Sequence, residues 1–366
     1  MVAERGSHGF CPVLPVPGPG PAFRLMPVEA RIFVTRRLPQ AVEERMAALF
    51  DARFNPTDAR LDQAALITGA RDADVIVSSI TDRIDSELIA ALPQSVKLIA
   101  QFGNGFDNIN IEAAHAAGIT VTNTPSVLTE DTADMVMALI LAVPRRIVEG
   151  SQVLLADGTW PGWSPTWMLG RRLGGKALGI VGLGRIGTAV ARRARAFGLS
   201  VHYHARHRRP PALEEQLDAT WWESLDAMLE AVDIVSLHTP HTRTTYNILS
   251  AERLARMKQG AFLVNISRPE LVDEAALIAR IQSGHLLGAA LDVFDYTKGV
   301  NPALLELARA HKVVLTPHMG SATLEGRIEM GETVIVNIRT FLDGHQPPHR
   351  VLPEPGFSGT PRMRSA

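Results

Sequence analysis

The fold of this chain is decided by the stretch Ala177-Leu178-Gly179-Ile180-Val181-Gly182-Leu183-Gly184-Arg185-Ile186-Gly187. A short apolar run leads directly into Gly-x-Gly-x-x-Gly, and apolar residues then recur at helical spacing as far as Gly198. Residues 201–203 have the pattern of the next strand. The stretch therefore predicts a strand, a tight glycine turn, a helix and a second strand, which is the unit that binds dinucleotides.

The three glycines of this turn have different expected roles. Gly182 allows the sharp turn, Gly184 lets the backbone approach a pyrophosphate, and Gly187 lets the helix pack closely on the strand. The free N–H groups at the start of the helix, among them those of Arg185 and Ile186, are expected to face the phosphates. The alternative is a glycine turn with a purely structural role, which the flanking strand–helix–strand pattern disfavours.

The composition is that of an ordinary globular protein. The 366 residues leave room for two domains, and 46 % hydrophobic against 20 % charged residues suffices for a buried core. The formal net charge of −1 gives no overall attraction to nucleic acid or membranes, and the longest apolar run, residues 135–143, is too short to span a bilayer. Cys11 is the only cysteine, which excludes a disulfide framework or a thiolate metal site within one chain. We therefore expect a cytoplasmic protein with no metal and no nucleic-acid or membrane partner.

Two series of alternating strands and helices follow a segment rich in Pro and Gly. Residues 1–25 are predicted to be a disordered leader, with a functional tail as the alternative. The alternation over residues 31–122, and again from residue 176, predicts an α/β fold with parallel sheets covered on both faces. Between the two series we predict a helix over residues 130–143 with Thr129 as its N-cap. Trp160, Trp163 and Trp167 follow, and we expect them to pack against another subunit or domain.

Several further motifs resemble those of the D-isomer-specific 2-hydroxyacid dehydrogenases, and among these the glyoxylate/hydroxypyruvate reductases. They are Gly103-Asn104-Gly105-Phe106-Asp107, Asn123-Thr124-Pro125-Ser126-Val127-Leu128-Thr129-Glu130-Asp131-Thr132-Ala133-Asp134, Asp233-Ile234-Val235-Ser236-Leu237-His238-Thr239-Pro240, Asn265-Ile266-Ser267-Arg268, Leu291-Asp292-Val293-Phe294 and Thr316-Pro317-His318-Met319-Gly320-Ser321. The resemblance extends from about residue 31 to residue 353, which is nearly the whole chain beyond the leader.

The resemblance implies two Rossmann-like, doubly wound parallel-sheet domains, with the nucleotide domain inserted into a discontinuous substrate domain. It places the substrate (catalytic) domain at residues 26–128 and 318–350 and the dinucleotide-binding domain, with its interdomain helix, at residues 129–317. Residues 351–366 would be a tail. The resemblance also implies a homodimer formed through the nucleotide domain.

The same resemblance implies hydride transfer between NAD(P)H and a small 2-keto acid, with glyoxylate and hydroxypyruvate as the first candidates. His318 occupies the position of the general acid/base, a role that suits imidazole because it titrates near the working pH. Arg268 would clamp the substrate with its rigid guanidinium fork, and the N–H groups of Asn104 and Gly105 would bind the substrate carboxylate. Asp292 would orient the nicotinamide carboxamide.

The cofactor site departs from the family pattern at its ribose end. Ala205 stands where an acidic residue normally accepts the ribose hydroxyls, and Arg206 follows it in a basic cluster. We therefore expect NADP to be preferred to NAD, with a solvated basic loop of relaxed specificity as the alternative. The remaining cofactor contacts that the resemblance implies are His238, Pro240, Ile266 and Gly320.

Two further departures concern catalysis. Thr297 stands where the family has a glutamate that pairs with the histidine, and Pro269 replaces the usual glycine after Arg268. Unless Asp295 substitutes for the glutamate, His318 is expected to titrate lower than in relatives, and Pro269 is expected to shift Arg268. These departures keep open a nicotinamide-binding sensor or corepressor-like protein with weak turnover. A formate- or phosphite-type dehydrogenase is the third hypothesis.

Overall fold

The computed structural model describes residues 28–296 and 299–353, and the strands of this part of the chain form two separate sheets. The strands are β1 (Val28–Val34), β2 (Phe50–Phe54), β3 (Val75–Ser79), β4 (Leu98–Phe102), β5 (Thr120–Thr122), β6 (Ala177–Val181), β7 (Ser200–His204), β8 (Ala219–Trp221), β9 (Ile234–Leu237), β10 (Phe262–Asn265), β11 (Gly288–Leu291), β12 (Val313–Leu315) and β13 (Arg350–Val351). The helices are α1 (Gln40–Leu49), α2 (Gln63–Ala70), α3 (Ser86–Ala91), α4 (Ile111–Ala116), α5 (Thr129–Ala142), α6 (Ile147–Asp157), α7 (Arg185–Ala196), α8 (Pro211–Leu217), α9 (Leu225–Ala231), α10 (Ala251–Arg256), α11 (Glu274–Gln282), α12 (Pro302–Arg309) and α13 (Leu324–Leu342). The predicted leader and the candidate catalytic residue Thr297 lie outside the described residues.

The first sheet takes its strands from both ends of the described chain. Its order is β13-β5-β4-β3-β1-β2, with β1 to β5 parallel and β13 antiparallel to β5 at one edge. Without β13 this is the order 2-1-3-4-5 of flavodoxin-like folds. Ile32 and Val34 face one core and Phe33 faces another, so both faces of the sheet are covered. Val351, the first residue of the predicted tail, pairs with Val121 in this sheet.

The second sheet lies between these segments in the sequence. Its order is β12-β11-β10-β9-β6-β7-β8, and all seven strands are parallel. Counted from β6, this is the Rossmann order with one additional strand beyond the sixth. The direction of winding reverses between β6 and β9, and in such sheets ligands bind at the carboxyl ends of the strands at this point. The predicted α/β fold with two doubly wound sheets is confirmed, with β13 as an antiparallel addition.

Most helix ends are determined by local sequence signals. Gly198 follows α7 with φ +75°, the left-handed conformation that ends helices without steric cost to glycine. Asp273 caps α11 by accepting the N–H of Ala276 at 3.0 Å. The prediction for the start of α5 is wrong, because Thr129 is its first helical residue rather than its N-cap. The Thr129 hydroxyl is occupied, since it donates to the carbonyl oxygen of Ser126.

Two helices approach each other where the cores of the two sheets meet. Helix α5 contributes to the core of the second sheet, whereas α13 contributes to the core of the first. The apolar residues that they contribute to these cores are Ala133, Val136, Met137, Leu139 and Ile140 on α5 and Met330, Val334, Ile335 and Ile338 on α13. The starts of the two helices touch, since a Cβ on Gly326 would collide with the carboxylate of Asp131. Helix α5 lies at the start of residues 129–317, where the resemblance places the interdomain helix of the dinucleotide-binding domain.

Helix α6 and the segment after it leave apolar side chains at the surface. α6 buries none of its residues, and Leu155 is 80 % exposed. Trp163 is 82 % exposed, while the rings of Trp160 and Trp167 lie 5.6 Å apart between centroids. Across residues 28–296 and 299–353, no helix combines the length and the apolar character needed to cross a bilayer.

Candidate functional site

The glycine turn after β6 has the close contacts that its sequence predicts. Gly182 adopts φ +100°, which side chains rarely permit, and a Cβ there would lie 2.9 Å from the carbonyl oxygen of His238. A Cβ on Gly187 would collide with the carbonyl oxygen of Gly182. Helix α7 therefore comes this close to the turn only because position 187 has no side chain.

The middle glycine of the turn borders open space. No described atom outside its immediate neighbours lies within 4 Å of the position that a Cβ on Gly184 would occupy. Gly184 is also the N-cap of α7 and offers no side-chain acceptor to the first N–H groups of the helix, which include those of Arg185 and Ile186. The partial positive charge at this helix start suits a phosphate in the open space.

The loop after β9 lies across the point where the winding reverses. The Cγ2 of Thr239 lies 2.9 Å from the Cβ position of Gly182, and the buried Thr239 hydroxyl has no hydrogen-bond partner among the described residues. Nε2 of His238 lies 2.8 Å from Oγ of Ser236, and burial lowers the pKa of His238 to about 4. The His238 ring is therefore neutral at physiological pH. Pro240 lies at the exposed end of this loop.

The basic loop after β7 contains one arginine that pairs with a carboxylate and two that do not. Arg208 pairs with Glu214 at 2.7 Å. Arg209 donates from Nε to the carbonyl oxygen of Leu183, inside the glycine turn, at 2.7 Å. Arg206 is exposed, and within the described residues neither Arg206 nor Arg209 pairs with a carboxylate. Two uncompensated positive charges therefore belong to this loop.

A second group of candidate residues meets at the carboxyl ends of β10 and β11. A Cβ on Gly320 would lie 2.7 Å from Cδ1 of Ile266 and 3.0 Å from Oδ2 of Asp292. Asp292 is 1 % exposed and accepts the N–H groups of Gly320 at 2.8 Å and of Met319 at 2.9 Å. Its Oδ1 also accepts the hydroxyl of Thr316 at 2.6 Å. Both carboxylate oxygens of Asp292 are thus bonded to the loop that follows β12.

That loop carries His318 in an uncommon backbone conformation. Its φ is +53°, in the left-handed region that side chains other than glycine rarely adopt, and its N–H donates to the carbonyl oxygen of Asp292 at 3.0 Å. Partial burial lowers the pKa of the His318 ring, the charge of Arg268 lowers it further, Asp292 opposes the change, and Arg327 adds to it. His318 therefore titrates below its ordinary value of about 6.5.

Arg268 reaches from the second sheet to the loop that follows β4 in the first. Its Nε donates to Oδ2 of Asp107 at 2.8 Å and its Nη1 to the carbonyl oxygen of Ser267 at 2.8 Å. Nη2 lies against Gly105, where an added Cβ would collide with it. Pro269 begins a short 3-10 turn, Pro269–Leu271, while Arg268 stays extended at φ −144° and ψ 142°, as residues before proline prefer. Pro269 therefore does not keep the guanidinium away from the loop at Gly105.

The loop at Gly105 is supported by buried amides and presents free donors. Nε2 of Gln101 donates to the carbonyl oxygen of Gly105 at 3.1 Å and to Oδ1 of Asn108 at 2.8 Å. Nδ2 of Asn123 donates to the carbonyl oxygen of Asn104 at 2.8 Å. The main-chain N–H groups of Asn104 and Gly105 themselves have no acceptor among the described residues. Consecutive free N–H groups of this kind form anion-binding concavities.

The structure thus brings most of the candidate residues together in two groups. The glycine turn lies with His238, and the second group joins the loop at Gly105 to Arg268, His318, Asp292, Ile266 and Gly320. Arg206 makes no hydrogen bond or ion pair with a described residue of either group, and Thr297 lies outside the described residues. Asp107 and Thr239 contact the two groups without having been assigned a role from sequence. Both lie inside the motifs that carry the resemblance, which is the only sequence signal for them.

Comparison with known proteins agrees with this geometry. The family model "D-isomer specific 2-hydroxyacid dehydrogenase, NAD binding domain" matches residues 137–320. A glyoxylate reductase from Thermococcus litoralis is 40 % identical over 328 residues, covering 88 % of this chain and 97 % of that protein. A solved structure from Thermus thermophilus is similar with a TM-score of 0.80 and 41 % identity, covering 88 % of this chain and 100 % of that one. The NADPH-dependent glyoxylate/hydroxypyruvate reductase from Sinorhizobium meliloti, in complex with NADP and malonate, has a TM-score of 0.75 and 34 % identity over 88 % of this chain and 97 % of its own.

The class that the second sheet and its glycine turn define is that of the NAD(P)-dependent oxidoreductases. Within this class, the chain belongs to the D-isomer-specific 2-hydroxyacid dehydrogenase family, in the branch that contains the glyoxylate reductases. The predictions of the family and of an enzyme are therefore confirmed.

Proposed function

We propose that this enzyme reduces a small 2-keto acid, with glyoxylate and hydroxypyruvate as its first substrates. The observation that carries the proposal is the position of the Arg268 guanidinium against Gly105, whose N–H, like that of Asn104, has no acceptor among the described residues. A guanidinium and two main-chain donors are the groups that bind a carboxylate. The activity named for the Thermococcus litoralis relative supports the same substrate class.

In this proposal His318 moves the proton. Its imidazolium donates a proton to the carbonyl oxygen of the substrate as that oxygen becomes a hydroxyl, and the neutral ring accepts the proton in the reverse reaction. Arg268 stabilises the negative charge that develops on the same oxygen. Thr297, in the position of the family glutamate, supplies no charge that would raise the pKa of His318. The lowered pKa of His318 agrees in direction with this assignment, although the causes found in the structure are burial and two arginines.

The residues around the glycine turn fit a nicotinamide dinucleotide. The open space at Gly184 and the unpartnered hydroxyl of Thr239 are suited to a polar group that approaches the backbone closely. We assign the phosphates to Gly182, Gly184, Arg185, Ile186 and Gly187, the adenosine to His238 and Pro240, and the nicotinamide end to Ile266, Asp292 and Gly320. When bound, the nicotinamide supplies the hydride.

NADP is the form that the basic loop favours. Arg206 and Arg209 have no carboxylate partner among the described residues, and Arg209 is held at the glycine turn by its bond to Leu183. A guanidinium binds a phosphate through charge-assisted hydrogen bonds, whereas the ribose hydroxyl of NAD calls for a carboxylate, which Ala205 cannot provide. The NADP complex of the Sinorhizobium meliloti enzyme supports this choice.

The division into domains and the assembly follow from the same proposal. Residues 26–128 and 318–350 would form the substrate domain and residues 129–317 the nucleotide domain. Helix α6 and the tryptophan segment expose Leu155, Trp160 and Trp163, and we assign this surface to the interface of a homodimer. The cytoplasm is the compartment that the single cysteine favours.

An absorbance assay of turnover, together with a titration of dinucleotide binding, tests the proposal against its alternatives. Consumption of NADPH and NADH is followed with glyoxylate, hydroxypyruvate and pyruvate, and reduction of NADP⁺ is followed with formate and phosphite. Turnover of a keto acid that is lost in Arg268→Ala supports the proposal. Dinucleotide binding without turnover would favour a sensor or corepressor-like protein, and reduction of NADP⁺ by formate or phosphite would favour the third hypothesis.

A further inference from the structure

An ion pair joins the two α/β units at the candidate site. Asp107 belongs to the loop after β4 of the first sheet, and Arg268 follows β10 of the second, 161 positions later in the chain. Their side chains meet at 2.8 Å between Nε and Oδ2 and are 29 % exposed for Arg268 and 40 % for Asp107. Partly exposed pairs of this kind contribute at most about 1 kcal/mol to stability. The pair is therefore better explained by what it does to the position of the guanidinium.

Asp107 controls which nitrogen of Arg268 remains available. Nε donates to Asp107 and Nη1 donates to the carbonyl oxygen of Ser267, whereas Nη2 lies against Gly105. The bonds at Nε and at Nη1 restrict the rotation of the planar guanidinium about its last side-chain bond. Nη2 is then directed at the loop whose N–H groups are free.

The loop that carries Asp107 is itself fixed. Its neighbour Asn108 is 8 % exposed and donates from Nδ2 to the carbonyl oxygen of Ser79, the last residue of β3, at 3.0 Å and to that of Asp82, in the loop that follows, at 2.8 Å. Gln101 donates to Asn108 and to the carbonyl oxygen of Gly105 on the same side. Asp107 therefore projects from a rigid base toward a side chain of the other unit.

We propose that Asp107 is a positioning residue for substrate binding, which orients Arg268 and links the two units across the substrate site. This rests on the proposed function, in which Arg268 binds the keto acid. A substrate carboxylate between Nη2 and the N–H groups of Asn104 and Gly105 then meets donors that are already in place. Without Asp107, the Arg268 side chain becomes ordered only when substrate binds, and the entropy lost in this step weakens the binding of substrate. The two units also lose a contact that spans the site.

The test uses the full chain and measures KM, kcat and cofactor affinity. Asp107→Asn keeps the shape of the side chain and removes its charge, so the KM for the keto acid should rise about 10- to 100-fold while the Kd for NADPH stays unchanged. Asp107→Glu retains the charge and should restore part of the loss. The matched control is Asp226→Asn, because Asp226 pairs with Arg253 at 2.8 Å with similar exposure, 41 % and 37 %, away from the site.

A double-mutant cycle separates this inference from the function on which it rests. If Asp107 acts through Arg268, adding Asp107→Asn to Arg268→Ala causes no further rise in KM. Additive losses, or a KM unchanged in Asp107→Asn alone, would overturn the positioning role while leaving Arg268 as the substrate clamp. If Arg268→Ala itself leaves KM and kcat unchanged, the proposed function fails first. A thermal melt of each variant shows whether a loss comes from unfolding instead.

Discussion

The main-chain carbonyl of Asp292 accepts the N–H of His318 at 3.0 Å, while both side-chain oxygens of Asp292 accept hydrogen bonds from the loop on which His318 lies. A buried carboxylate thus determines the path of a loop whose histidine has φ +53°. Sparsely populated backbone conformations persist only where the surrounding structure holds them. The resemblance implies only a cofactor contact for Asp292, and the structure adds this support of the loop.

The substitution Asp292→Asn should therefore lower the free energy of unfolding. An amide nitrogen would face donors that now meet an oxygen, so the loss should be about 1.5–3 kcal/mol of unfolding free energy, the value of one hydrogen bond to a charged group. Urea unfolding monitored by fluorescence measures it. Thr316→Val removes only the bond from the hydroxyl to Oδ1 of the same carboxylate, and as the comparison variant it should lose a similar amount, about 1.5–3 kcal/mol. Wild-type stability in Asp292→Asn would show that the loop does not depend on the carboxylate.

A methyl group on Gly105 should displace the clamp without touching the cofactor. The Cβ of Gly105→Ala would collide with Nη2 of Arg268, which must then leave its place. The KM for the keto acid should rise about 10- to 100-fold, as for other small displacements of positioning groups. Gly174→Ala is the control, because its Cβ would meet only the carbonyl oxygen of Phe197 at 3.8 Å. Steady-state kinetics with an unchanged KM in Gly105→Ala would mean that the guanidinium does not bind substrate from this position.

The glycine turn could be predicted from sequence because its constraints are local. Gly182, Gly184 and Gly187 lie within six positions, and each close contact they permit arises inside one strand–turn–helix unit or against the neighbouring strand's loop. The alternation of strands and helices likewise predicted parallel sheets, since parallel strands need a crossover between them. Arg268 and His318 were identified by motif resemblance rather than by any local physical signal.

Contacts between distant segments could not be predicted, because no pattern within a short stretch of sequence indicates them. Asp107 pairs with an arginine 161 positions away, and the support of His318 by Asp292 depends on how the loop after β12 folds back over β11. The sequence also does not show which of several possible partners a side chain will bind. Thr129 has the side chain of an N-cap, but its hydroxyl is used by the carbonyl oxygen of Ser126. Arg208 belongs to the basic cluster, yet Glu214 neutralises it.

Substitutions at two glycines of the turn should distinguish an effect on NADPH binding from an effect on stability. A Cβ at Gly184 meets no described atom, so Gly184→Ala should fold normally while its methyl group fills the space assigned to the pyrophosphate. A Cβ at Gly187 collides with the carbonyl oxygen of Gly182, so Gly187→Ala should lose about 1–3 kcal/mol of stability through overpacking. Thermal melts and NADPH titration of the two variants measure the difference. A Gly184→Ala protein that binds NADPH like the wild type would argue against the assigned phosphate site.

The two arginines of the basic loop that have no carboxylate partner among the described residues, Arg206 and Arg209, should discriminate between the cofactors. The substitution Arg206→Ala should weaken the binding of NADPH roughly ten- to a hundred-fold and leave the binding of NADH unchanged, because a charge-assisted bond to the 2′-phosphate is lost. Arg209→Ala should weaken NADPH similarly and also affect NADH, since Arg209 bonds to Leu183 in the glycine turn. Arg71→Ala is the control, because Arg71 is exposed after α2, in the unit of the first sheet. Equal losses of both cofactors in Arg206→Ala, measured as Kd, would contradict a preference based on the phosphate.

The surroundings of His318 should determine the pH at which reduction loses its proton donor. Reduction requires the protonated ring of His318, so kcat/KM falls as the pH rises through the pKa of this group in the free enzyme. Partial burial, Arg268 and Arg327 hold that pKa below its ordinary value, so the falling limb should begin below about pH 6.5. Oxidation requires the neutral ring, and its rising limb should lie in the same range.

Arg327→Met tests this dependence. The variant removes one of the two cations that lower the pKa of His318, and its apolar chain can remain beside Met330, whose sulfur lies 3.7 Å from Nη1 of Arg327. The pKa of His318 should rise, so the falling limb of the reduction profile should move to higher pH and the ratio of activity at pH 7 to that at pH 6 should increase. Arg71→Met is the control, because Arg71 is exposed after α2 and its charge does not act on His318. A limb that stays in place in Arg327→Met, with the KM for the keto acid also unchanged, would show that His318 is not the group whose titration limits reduction.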